Sequence, residues 1–278
     1  TIALAVLAPV LLSQTRNLAA LRLGDDTASA LGVRVDRTRI LLIVALAVCV
    51  LPPADVRAQA GADRERILQV ADRIEAAYER LQSYACNIEG IYFDAGREYE
   101  RYTFRFYFRK PDRFRIEFQS PYPGVTIFYT EGEKEFTARP LAAFPSVQFR
   151  FSVNNPLFKS PSGQGVHQMH LLYFLDFLRK NAKTLPQEGA DFRQEGPILS
   201  FWLAARDYLA GGMPERYRMH INTGLWLPER FERYNQAGAP LEFTYFRNYR
   251  VNPALDGAFF DSGHRDAASI PPSEPVRP

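Results

Sequence analysis

From Asp63 to Ser83 apolar residues recur at Ile67, Val70, Ile74, Tyr78 and Leu81, with Arg and Glu between them. That spacing gathers the apolar side chains on one side of a helix and predicts an amphipathic helix of about five turns. After Tyr84 the period changes to two. In residues 99–109, Tyr102, Phe104, Phe106 and Phe108 alternate with Arg101, Thr103, Arg105, Tyr107 and Arg109. Pro111-Asp112 turns the chain, and Arg113, Arg115 and Glu117 then alternate with Phe114, Ile116 and Phe118. The pattern predicts an antiparallel hairpin with one aromatic and one charged face.

Gly124 opens a further strand at Val125–Tyr129, and Glu131-Gly132-Glu133 turns it into Lys134–Ala138. Val147, Phe149 and Phe151 alternate with Gln148 and Arg150. Residues 154–168 are rich in Pro, Ser and Gly and read as a loop. His170–Lys180, with Leu171, Leu172, Phe174, Leu175 and Leu178, reads as a second helix. Strands return at Ile198–Ala204, Arg216–Asn222, Leu227–Tyr234 and Leu241–Arg250, separated by Gly- and Asn-containing turns.

The predicted class is α+β: a long antiparallel sheet with one helix before it, one inserted in its middle, and an apolar N-terminal segment. One greasy face and only two helices to cover it leave the sheet curled into an unclosed half barrel with an apolar concavity. A hydrophobic ligand would fit there, with the helices as plug or lid. The aromatic stripe reads equally as ordinary core, and the two readings are not exclusive.

The first sixty residues follow a different pattern. Ile2–Leu12 and Ile40–Leu51 are apolar runs of about a dozen residues each, short of the roughly 20 that span a bilayer as a helix. The second run follows Arg34, Arg37 and Arg39 and leads through Pro52-Pro53 into a helix-breaking segment ending Ala58-Gln59-Ala60. That is the layout of a secretory signal cleaved after Ala60, the alternative being an uncleaved anchor. Leu46-Ala47-Val48-Cys49 lacks the small residue a lipidation site needs before its cysteine.

Composition sharpens this boundary. All 37 aromatic residues (21 Phe, 14 Tyr, 2 Trp) follow residue 60. The first sixty contain no Lys or Glu. Three segments follow: residues 1–60, a folded domain at 61–266, and a disordered Pro-rich tail at 267–278. The chain of 278 residues carries 34 basic and 31 acidic side chains. Six Arg and four Asp fall in the first sixty, so the remainder is nearly neutral, which argues against electrostatic binding of nucleic acid. In Arg101–Arg109 most of the aromatics also lie opposite the Arg residues, unlike a base-stacking platform.

Two resemblances carry the reading further. Leu21-Arg22-Leu23-Gly24-Asp25-Asp26-Thr27-Ala28-Ser29-Ala30-Leu31-Gly32-Val33, with Arg37-Thr38-Arg39-Ile40 after it, resembles the cytoplasmic loop of FecCD-type permeases. These are the membrane subunits of ABC importers for iron-siderophore and cobalamin. Residues 1–48 resemble a fragment of such a permease, which cannot enclose a pathway alone. Lys110-Pro111-Asp112-Arg113-Phe114-Arg115, Ile221-Asn222-Thr223-Gly224-Leu225-Trp226-Leu227-Pro228 and the stretch from Asn248 to Phe260 resemble, in order and spacing, the lipoprotein-carrier (LolA/LolB-like) superfamily over about residues 63–262. That resemblance implies an unclosed barrel able to hold acyl chains.

Sites of other chemistry are thin. His167 and His170 could share a helical face as metal ligands, but two histidines at a helix start also form a polar cap, and no metal is expected. His220 sits between arginines, and His264 lies near the C-terminus. Cys86 reads as a small buried residue rather than a nucleophile. No nucleophile elbow, phosphate loop or dinucleotide fingerprint appears, so neither an enzyme nor a cofactor is expected. The expected ligand site is Tyr102, Phe104, Phe106, Phe108, Phe114, Ile116 and Phe118, closed by Leu171, Phe174 and Leu178. Its occupant would be a lipid or acylated protein in the bacterial envelope, in lipoprotein sorting or lipid transfer, with inner- or outer-membrane proteins as further partners and no nucleic acid. The protein would be periplasmic after cleavage near Ala60, or tethered by residues 40–51. The alternative is a membrane component of an iron-siderophore or cobalamin importer.

Overall fold

The computed structural model describes residues 54–140, 146–206 and 214–263. The expectations for residues 1–53 and for the tail after Ala267 lie outside the described residues. Contacts divide the chain into residues 1–58 and 59–278, and the second unit carries the fold.

Helix α1 (Ala54–Arg80) leads into strand β1 (Ser83–Asp94). The helix starts nine residues earlier than the periodicity predicts, directly after Pro52-Pro53. The stretch from Ala54 to Ala60, read as helix-breaking, is therefore helical.

Strands β2 (Arg97–Arg109), β3 (Arg113–Ser120), β4 (Thr126–Thr130), β5 (Glu135–Arg139) and β6 (Phe149–Ser152) follow as a meander. The expected loop at 154–168 contains two single-turn 3-10 segments, Pro156–Phe158 and Val166–Gln168, before helix α2 (Leu171–Thr184). Strands β7 (Arg193–Glu195), β8 (Ile198–Ala205), β9 (Glu215–Asn222), β10 (Leu227–Tyr234) and β11 (Pro240–Val251) form a second meander.

All eleven strands join one antiparallel sheet in the order β6-β5-β4-β3-β2-β1-β11-β10-β9-β8-β7. Its edges, β6 and β7, do not pair, so the sheet is not closed into a barrel. Each meander is built from neighbours in sequence, while the pairing of β1 with β11, from Tyr84↔Val251 to Tyr92↔Glu242, joins the two halves.

Both helices cover one face of the sheet. On α1, Ile67, Val70, Ile74, Tyr78 and Leu81 are buried as their spacing predicts. On α2, Leu171, Leu175, Leu178 and Ala182 are buried in the same core. Arg179 clamps the helices together, donating to both oxygens of Glu75 at 2.8 and 2.7 Å and to Asp72 at 2.7 Å. That guanidinium holds the Glu75 carboxyl below its usual range. Buried Gln187 ties the end of α2 to β8: its amide nitrogen donates to the carbonyls of Asn181 and Ala204, and its oxygen accepts from the Ala204 N–H at 2.9 Å. Among the described residues no helix is long and apolar enough to cross a membrane.

The opposite face is not uniformly solvated, contrary to the hairpin's expected charged side. Tyr107 and Arg115 are buried beneath the segment that follows β11. Phe259 packs edge-on against Tyr107 at 4.9 Å, and Arg115 donates to the Phe259 carbonyl at 2.8 Å with its guanidinium 4.2 Å above the Phe259 ring. On β8–β11 the same face carries aromatics among the arginines. Arg216 lies over Trp202 at 4.5 Å and Arg247 over Tyr245 at 4.8 Å, so guanidinium planes shield these rings from water.

Candidate functional site

Period-two alternation aims one set of side chains from each strand at the covered face, and cross-strand register lines them up. Tyr84 faces Phe108, Cys86 faces Phe106, Ile88 faces Phe104 and Gly90 faces Tyr102. Across the next ladder Phe104 faces Phe118, Phe106 faces Ile116 and Phe108 faces Phe114. On the other side of β1, Ile88 faces Phe246, Gly90 faces Thr244 and Tyr92 faces Glu242.

The helices fill only the Tyr84 end of this surface. There Tyr78 packs on Phe108 at 5.9 Å, and His170, at the start of α2, stacks on Phe114 at 5.4 Å. Towards Tyr92 neither helix closes the surface, and a cavity of about 520 Å³ remains, walled by the sheet, by Leu171, Phe174 and Phe177 of α2 and by the segment 157–170. Phe158 anchors that segment, meeting Phe136 edge-on at 4.9 Å and Phe151 at 4.5 Å.

Of the ten residues the sequence singles out, Tyr102, Phe104, Phe106, Ile116, Phe118, Leu171 and Phe174 line the cavity. Phe108, Phe114 and Leu178 do not: they lie where the helices press on the sheet and belong to the packed core. The expected stripe is thus divided by where helix contact stops. Most of the wall comes from residues that sequence reasoning missed. Tyr84, Cys86, Ile88, Met219, Phe231, Thr244, Phe246 and Tyr249 line it from β1 and the second meander. Alternation in β9 (Tyr217, Met219, Ile221) was the available signal. It could not reveal that β9–β11 and β2–β4 face one space, because that follows from the β1–β11 pairing.

The cavity is graded along β1. Its Tyr84 end is aromatic and aliphatic, whereas its Tyr92 end holds Glu242, Thr244 and Ser160 beside the Tyr92 hydroxyl. Gly90 lies between them. A Cβ there would sit 3.3 Å from the Tyr92 hydroxyl oxygen, so glycine leaves room for that ring to lie over the strand.

Burial suppresses ionisation in the wall. It pushes the Cys86 thiol and the Tyr84 and Tyr249 hydroxyls well up. Cys86 is thus a protonated thiol at neutral pH, a wall residue rather than a nucleophile. Burial, with His167 nearby, lowers His170 to about 4, and its Nε2 lies 3.5 Å from Glu131. His167 is also lowered, and among the described residues no three His, Cys, Asp or Glu side chains gather as a metal site requires. His220 lies on the outer face 3.6 Å from Glu232 and is lowered to about 4, first by burial and then by Arg230 and Arg218. His264 lies outside the described residues.

A pH dependence follows from His170. Its ordinary value is 6.5 and its folded value about 4, so between these the unfolded chain binds more protons and stability falls as the solution is acidified. Glu131, raised by burial and Asp112, works in the opposite sense, because its folded form holds a proton more readily. We expect thermal unfolding to shift downward from pH 7 to pH 4.5, and a His170→Phe variant, which keeps a ring on Phe114, to lose about 2 kcal/mol less over that interval. Equal losses in the two proteins would refute the assignment.

The FecCD transport family matches residues 1–51 of the chain. No curated protein matches it in sequence. Solved structures with a similar fold include a LolA-superfamily protein from Nitrosomonas europaea (8% identity, 70% of this chain and 96% of that one, TM-score 0.34). The lipoprotein LppX from Mycobacterium tuberculosis is another (11%, 69% and 98%, 0.40). A third is the Pseudomonas aeruginosa MucA/MucB complex, where the chain spans 69% of its own length and 60% of its counterpart's (13%, 0.38).

Proposed function

We propose that residues 61–266 form an envelope domain that binds one acyl chain, of a lipid or an acylated protein, without catalysing a reaction on it. The observation that carries this reading is an apolar cavity which the folded chain leaves unfilled. At about 520 Å³ the cavity falls within the roughly 300–1,000 Å³ of small-molecule sites and has room for the methylenes of an acyl chain. Burying a dozen of them at about 0.8 kcal/mol each provides affinity without any covalent anchor. Tyr102, Phe104, Phe106, Ile116, Phe118, Leu171 and Phe174 touch the chain, and Phe108, Phe114 and Leu178 hold the wall behind them.

Lipoprotein sorting or lipid transfer is the process such a carrier serves, with membrane proteins as donor or acceptor. Residues 1–60 are the export or tethering segment, which places the domain in the periplasm. Cleavage after Ala60 falls inside the range of α1 and therefore precedes that helix's folding. The test is lipid analysis and native mass spectrometry of the full chain, produced with its leader in a bacterial envelope and purified without detergent. One acyl-chain lipid per protein supports the reading. Absence of any lipid, together with failure to bind a fluorescent fatty-chain probe, overturns it. The second reading, a membrane component of an iron-siderophore or cobalamin importer, rests on the match of residues 1–51 alone. An intact N-terminus on the purified product would favour it, and one at Gly61 would defeat it.

A further inference from the structure

The polar end of the cavity bears on which amphiphile fits. Tyr92 and Glu242 are direct cross-strand neighbours, and both face the cavity. Glu242 is 2% exposed and accepts from the Thr244 hydroxyl at 3.1 Å. Its second oxygen lies 3.8 Å from Nη1 of Arg233, whose Nε and Nη2 both donate to Glu215. One guanidinium is thus shared between two carboxylates. The Tyr92 hydroxyl lies near Ser160 and Ser162, whose hydroxyls are 2.8 Å apart, and Ser160 Oγ also accepts from the Gln164 N–H at 3.1 Å.

We infer that the ligand is a single-chain amphiphile whose head group is uncharged or cationic and donates hydrogen bonds, seated with its head at Glu242, Thr244, Tyr92 and Ser160 and its chain running towards Phe106. A carboxylate offers about four acceptor sites, so a hydroxyl, amide or amine can add a bond there beside those already made. Lys159 also lines the cavity, but a fatty carboxylate or a phosphate seated at Glu242 itself meets that buried carboxylate at close range, where Coulomb repulsion is strong. Specificity then comes from repulsion of anionic heads as much as from attraction of donors. This rests on the acyl-chain reading of the cavity.

Two probes of equal chain length separate the cases: monolaurin, a neutral head with two hydroxyl donors, and laurate, an anion. With the full chain at pH 8, displacement of a fluorescent fatty-chain probe is expected to show monolaurin binding about tenfold tighter than laurate, the size of one well-placed charge-assisted bond. Glu242→Gln should shrink that preference to within about threefold by relieving laurate. Should this variant fail to fold, the wild-type comparison still decides, and Ser160→Ala, in the segment outside the sheet, should weaken monolaurin about threefold while leaving laurate unchanged. Laurate binding as tightly as monolaurin, or tighter, overturns the inference while leaving the acyl-chain reading intact. Binding of neither overturns both.

Discussion

A Cys86→Trp variant is expected to fold and to bind a single-chain lipid roughly 100-fold more weakly than the wild type. Cys86 stands midway along the cavity wall on β1, opposite Phe106. An indole in its place projects into empty space rather than into a packed neighbour, so the overpacking cost stays at the lower end of about 1–3 kcal/mol. What it displaces is ligand. The added volume removes room for about four methylenes, and at about 0.8 kcal/mol each the loss is about 3 kcal/mol, or at least a hundredfold. Probe titration checks this beside thermal unfolding, with Cys86→Ser, which leaves the volume nearly unchanged, as control. Unaltered affinity in a folded tryptophan variant would mean that the ligand lies elsewhere.

Phe106→Ala carries the largest expected loss of stability. Phe106 is 1% exposed, lies 5.7 Å from Tyr84 and 5.8 Å from Phe114 between ring centroids, and borders both the packed core and the cavity. Removing a buried phenyl ring costs about 3–5 kcal/mol, which for a domain of this size lowers the unfolding midpoint by about 10 °C. The void it creates opens into the existing cavity. Saturating monolaurin should therefore recover part of the loss, because a ligand that binds only the folded state stabilises it. Leu178→Ala, fully buried but away from the cavity, should lose about 2–5 kcal/mol and be helped by lipid no more than the wild type is. Equal rescue of both variants, measured by calorimetry, would contradict this division of wall from core.

Much of the first meander and most of the second were legible in the sequence because each strand there alternates cleanly. The hairpin from Arg97 to Ser120 has Phe and Tyr on one side and mainly Arg on the other, and its register follows from a short turn at Pro111-Asp112. Strand β1 was harder to delimit. Covered on both faces over much of its length, it shows Ser83, Tyr84, Ala85, Cys86 and Ile88 all buried, so no period marks its edges. On β11 the more apolar phase, Leu241, Phe243 and Tyr245, is not the one facing the cavity; Glu242, Thr244 and Phe246 are. Periodicity alone would choose the wrong side there. The polar end of the site was hidden for that reason, since a Glu among aromatics reads as surface until Tyr92↔Glu242 turns it inward. The covering of Tyr107 by Phe259 was hidden too, because a Pro- and Asp-rich segment carries no repeating pattern.

The placement of β11 has a consequence for how this domain must be made. Its two meanders can each assemble as soon as they leave the ribosome, but the seam between them joins residues 150 or more positions apart and runs through the middle of the sheet. Until the last strand is synthesised, β1 offers one whole side of exposed backbone donors and acceptors to any passing strand. A polypeptide interrupted before Pro240 would thus be two separate sheets, each with an open adhesive edge, and the chain gains from staying unfolded until translation is finished.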